Sequence, residues 1–106
     1  MNFNITIDEE SYTLEVSDAI MKELQGVIKD MDAEFDKGAR IGRYWIDNPS
    51  DEQRCQIAAD KVESAIHQQN VRLFYQMAAY ILTKFPTLKM ATVSSDFEVS
   101  DIHFEI

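Results

Sequence analysis

The chain has 106 residues, 45% of them hydrophobic, and a formal net charge of −9. That length predicts one domain, able to bury about two thirds of its unfolded surface without a structural metal or disulfides. The single cysteine excludes an intramolecular disulfide framework, and the longest apolar run, residues 77–82, falls far short of the ~20 residues that span a bilayer.

The first residues lack the basic and apolar regions of a signal peptide, so a soluble cytoplasmic protein without membrane association is expected. The acidity is uneven. Residues 1–36 carry ten acids and two lysines, residues 37–89 carry eight bases and five acids, and residues 90–106 carry four acids and no Lys or Arg. Both ends are acidic around a mildly basic middle.

Phe3, Ile5 and Ile7 alternate with Asn2, Asn4 and Thr6, and Tyr12, Leu14 and Val16 alternate with Ser11, Thr13 and Glu15. A period of two marks half-buried strands, and the short polar link at residues 8–11 predicts a β-hairpin. The link has no Asn-Gly or Asp-Gly pair, which leaves the register open.

Ser17 or Asp18 can cap a first helix running to about Lys37, with Gly38 as its stop. Ile20, Met21, Leu24, Val27, Ile28, Met31 and Phe35 form one narrow stripe on it, and Gly26 points away. After Pro49, Ser50-Asp51-Glu52-Gln53 is a capping-box pattern that starts a second helix. Its inner stripe is Cys55, Ala58, Ala59, Val62, Ala65, Ile66 and Gln69, with Ile57 off the stripe. A third helix over residues 71–85 is stopped by Pro86. It is apolar around most of its circumference, with Arg72, Gln76, Thr83 and Lys84 as its clear polar positions and Tyr80 beside them. Such a helix is central, or it is covered by a second subunit.

Leu88, Met90 and Thr92 then alternate, and Ser94-Ser95-Asp96 reads as a turn. Phe97 and Val99 start another run, and Ile102, Phe104 and Ile106 alternate at the end. The phase shift between Val99 and Ile102 predicts a bulge or turn. The order gives an α+β fold: an N-terminal β-hairpin, three helices and C-terminal strand or strands, with helices on one face of an antiparallel sheet.

Asp30, Asp32, Glu34 and Asp36 resemble a calcium loop at first sight. Phe35 stands where the sharp turn needs Gly, however, and Ile41 where a bidentate Glu is needed. No metal site is expected. Negative charge at a helix C-terminus is unfavourable, and Lys37, Arg40 and Arg43 are the nearest counter-charges in sequence. Cys55 lies on the inner stripe, where a free thiol acts as a small buried hydrophobe. His67 and His103 have no partners at metal-ligand spacing. Ser94 or Ser95 with His103 and Asp101 lacks any nucleophile motif, and no Gly-rich phosphate loop is present. No catalytic residue and no cofactor are expected.

The weight falls on residues 38–49, which hold the only Trp and two of the three glycines. Arg40, Arg43, Tyr44 and Trp45 are residue types enriched at interface hot spots, and Arg54, one turn into the next helix, could join them. One reading makes Trp45 and Ile46 a plug closing the helical layer, with the arginines neutralising the first helix. The other makes the stretch a docking site. Three arginines in so acidic a chain replace few phosphate counterions, so nucleic acid is not the expected partner. The expected function is a small acidic non-enzymatic interaction protein, binding a protein partner or itself as a homodimer. The alternatives are an anionic small-molecule site or minor enzyme near Arg43 and Trp45, and an acidic nucleic-acid mimic.

Overall fold

The first alternating stretches form β1 (Asn2–Ile7) and β2 (Glu10–Glu15), paired antiparallel with Ile5 opposite Tyr12, in a computed structural model that describes residues 1–96 and 98–106. Asp8 and Glu9 make the turn with φ of 48° and 73°. Positive φ at both central positions is what a type I′ hairpin turn requires, and here it is met without glycine. The Asp8 carboxylate accepts the Ser95 backbone N–H at 2.8 Å, which pins the turn and holds its carboxyl below the ordinary value.

Ser17 caps α1 (Asp18–Glu23) through the Ile20 N–H. The expected first helix is broken once: Leu24, with ψ of 3°, separates α1 from α2 (Gln25–Asp36). Gly38, at φ 105°, ends the helix as expected. Residues 39–46, expected only as part of the connection between the first two predicted helices, form a hairpin of β3 (Ala39–Ile41) and β4 (Tyr44–Ile46). The capping box is present in full: Gln53 N–H donates to Ser50 Oγ, and Ser50 N–H donates to Gln53 Oε1. It opens α3 (Asp51–His67). Cys55, Ala58, Ala59, Val62 and Ala65 are buried as the stripe predicts, Ile57 is half-buried, and Gln69 lies exposed beyond the helix.

Asn70 caps α4 (Val71–Lys84), and Pro86 follows its end. The small alanines of α3 let α4 pack closely along it. On other sides Phe74 meets Phe3 of β1 edge-on, Tyr80 meets Phe35 of α2, and Phe85, just past the helix, meets Phe104. Met77 to Leu82 of α4 are therefore buried all round within one chain, and Tyr80, expected near its polar side, is fully buried. The apolar circumference of this helix no longer argues for a second subunit.

β5 (Met90–Val93) lies parallel to β1, and β6 (His103–Glu105) returns antiparallel to β5. Strand order is β2-β1-β5-β6. The fold is α+β with helices packed on the sheet. The sheet is mixed rather than antiparallel throughout, because the helical crossover brings the late strand beside β1 in the same direction. Ala91 and Val93 face the core and Thr92 faces out, the reverse of the phase expected from Leu88, Met90 and Thr92. The shift before Ile102 is a single 3-10 turn, Val99–Asp101. The run expected to start at Phe97 begins on a residue outside those described.

Candidate functional site

The β3–β4 hairpin is an arm separate from the main sheet. Its tip is the pair Gly42-Arg43 between Ile41 and Tyr44, with Gly42 at φ 61°. Gly at the first central position, followed by a residue of ordinary φ, is the chemistry of a type II′ turn. Ile41 is buried and Ala39 and Ile46 are half-buried, so one face of the arm is seated on the body. Arg40 and Trp45 are directly opposite each other and share the other face. Tyr44 is 72% exposed and Trp45 60% exposed. Trp45 is not the core plug of the structural reading.

Trp45 is nevertheless fixed. Its Nε1–H donates to Asp47 Oδ1 at 2.9 Å, and its ring lies so close to Gly38 that a Cβ there would be 2.6 Å from Cζ2. Gly38 thus has two duties, the left-handed end of α2 and a flat seat for the indole. Arg40 and Arg43 are exposed, with no ion pair or side-chain hydrogen bond among the described residues.

Arg54 does not join this patch. It is 7% exposed and lies under the arm's return segment. Its Nε donates to the Pro49 carbonyl at 2.8 Å and its Nη2 to Asn48 Oδ1 and Asp36 Oδ1, both at 2.9 Å. Its Nη1 reaches Asp32 Oδ1 at 3.2 Å, and the guanidinium lies over the Phe35 ring. Arg54 is a clasp that ties the base of the arm to α2. The sequence signal it left was its position beside a helix start, which fits a surface residue equally well.

Asp32 is the centre of the same network. It accepts from Tyr80 Oη at 2.6 Å and from Lys84 Nζ at 2.8 Å as well as from Arg54. Burial works against its charge, but the hydrogen bonds from Lys84 and Tyr80 and the nearby cations outweigh it and hold its carboxyl below the ordinary 3.8. Burial and the bond to Asp32 push the Tyr80 phenol upward, so it stays a donor. The counter-charges for Asp32 and Asp36 are therefore Arg54 and Lys84 from later helices, not Arg40 and Arg43. Lys37 does pair with Glu34, on the surface.

Elsewhere the chemistry is sparse. Burial, with Asp51 nearby, pushes the Cys55 thiol up to about 12, the state of an unreactive core thiol. His67 lies 3.8 Å from Glu63 on an exposed helix face. His103 is exposed, opposite Thr92, and no hydrogen bond joins it to Ser94, Ser95 or Asp101 among the described residues. No three His, Cys, Asp or Glu residues converge as metal ligands among those described. A cleft of about 500 Å³ lies between the α1–α2 break and the start of α4, lined by Ile20, Leu24, Val27 and Tyr75 among others. A smaller one of about 140 Å³ is lined by Asp60, Glu63 and Glu98. No arm residue lines either cleft. No described helix is long and apolar enough to cross a membrane. The chain matches no protein-family model, no curated protein and no solved structure.

Proposed function

We propose that this chain is a non-enzymatic protein-interaction module and that the β3–β4 arm is its docking element. The observation that carries this reading is a solvent-exposed Trp held in one orientation by Asp47 and Gly38, beside an exposed Tyr and two unpaired arginines. Large aromatics and arginines contribute most at interfaces, and a side chain ordered before contact loses less entropy on binding. Solvent exposure of Tyr44 and Trp45 costs the free protein hydrophobic stabilisation that a partner would restore.

The alternatives have less support. An anionic ligand near Arg43 and Trp45 would need a concavity there, and no arm residue lines either cleft described above. An acidic nucleic-acid mimic needs a contiguous negative face, and Asp32 and Asp36 are held in ion pairs with Arg54 and Lys84.

The test is affinity capture with the wild type and an Arg43→Ala/Trp45→Ala variant, after thermal melts show both folded. Loss of the bound proteins from the variant supports the arm as the docking element. Equal recovery by both proteins refutes it.

A further inference from the structure

The arm lies beside a surface of opposite charge that it does not touch with its arginines. At its tip, a Cβ on Gly42 would be 3.7 Å from Glu98 Oε2. Glu98 also lines the 140 Å³ cleft, with Asp60 and Glu63 of α3 and an apolar wall that includes Val93, Val99 and Ile102. The described lining contains three carboxylates and no Lys or Arg. Arg43 follows Gly42 directly, yet neither it nor Arg40 pairs with any of these acids. The basic tip of the arm thus stands beside Glu98 at the edge of an acidic hollow, and its arginines pair with none of the hollow's acids.

Resting on the reading of the arm given above, we propose that the partner is a second copy of this chain: Arg43 of each protomer enters the partner's Asp60–Glu63–Glu98 cleft. Two complementary patches side by side on one surface meet reciprocally when a second copy is turned by a two-fold rotation about an axis between them, so one operation satisfies both. The cleft is the size of a single side-chain end rather than of a ligand. Its carboxylates suit the guanidinium fork of an arginine. The same approach brings the partner's surface over the outer face of the arm, where Trp45 lies. Between two chains of net charge −9, general repulsion opposes association. The arm is the surface on which that repulsion is locally reversed.

The experiment is light scattering over a concentration series, with the emission of Trp45, the only Trp, read in parallel. The wild type is expected to rise from 12.2 kDa to twice that mass as the Trp45 emission shifts to the blue. Arg43→Glu and Asp60→Arg/Glu63→Arg, each checked for an unchanged melt, are expected to weaken self-association by roughly a hundredfold or more, since each places like charges together. Mixing the two variants should restore a dimer, because each then meets the opposite charge at both contacts. A wild type monomeric at millimolar concentration, or folded variants that dimerise as the wild type does, overturns the proposal. So does a mixture that stays monomeric. If the wild type is monomeric but the arm variant still loses captured proteins, only self-docking fails. If capture is also unchanged, the arm is not the docking element at all.

Discussion

Gly38 and Trp45 are the residues on which the arm depends, and they make opposite predictions. A methyl at Gly38 meets both a φ of 105° and the indole at 2.6 Å. Gly38→Ala is expected to cost about 1–3 kcal/mol, and part of that cost should disappear in a Trp45→Ala background, where only the backbone strain remains. Trp45→Ala alone should cost about 1 kcal/mol or less, against the ~3–5 kcal/mol of a core aromatic, because the ring is already largely in water. Urea unfolding of the three variants measures all of these terms. At this scale the sequence was uneven. Cys55 was legible as a buried thiol because the helical stripe ran through it. Tyr80 and Arg54 were not, because a phenol and a guanidinium become buried only when partners arrive from elsewhere, here Asp32 and the Asn48-Pro49 segment.

The helices were the most legible elements, since caps and stripes are written locally. Ser50 to Gln53 form a capping box because four adjacent residues suffice to build one. The arm was missed because each strand has only three residues, too few for a period of two to show. Its one usable signal was Gly42 preceding Arg43 between β-branched and aromatic residues, a type II′ pattern. Two substitutions probe element stability. Gly26 lies inside α2 with open space where its Cβ would be, so Gly26→Ala is expected to stabilise by about 0.5–1 kcal/mol, read as a raised melting temperature. Arg54→Ala removes the clasp between α2 and the arm's base. A cost of about 3 kcal/mol is expected, with amide hydrogen exchange accelerated at Asp47 and Asn48 beyond the change elsewhere. Arg54→Lys should rescue little of it, since one ammonium cannot reproduce the fork.

For the whole molecule, the charge asymmetry read from composition is partly internalised. Asp32 ties α2, α3 and α4 together through Arg54, Tyr80 and Lys84. Because its folded carboxyl titrates below the ordinary 3.8, its contribution to stability is fully present above that value and is lost as pH falls through the folded one. Asp32→Asn should therefore lower stability at about pH 7 and flatten the acid limb, the two unfolding curves converging as pH falls through the lowered folded value. Parallel curves would place the acid sensitivity elsewhere. The order of strands and helices was legible along the chain, but the direction of β5 against β1 was not. Alternation tells which face of a strand is buried and is silent about which neighbour it takes and which way that neighbour runs.

That parallel pair also sets a timetable. The two halves of the contact between Ile5 and Ala91 are synthesised 86 residues apart. The β1–β2 hairpin and the α3–α4 pair are local and can form as soon as they emerge, but β1 must wait with one edge unpaired until Met90–Val93 has left the ribosome. Throughout that interval the edge of β1 that β5 will occupy stays open, so the nascent chain is most vulnerable to mispairing along Asn2–Ile7. Arrival of β5, rather than early collapse, is the step that seats β1 inside the sheet.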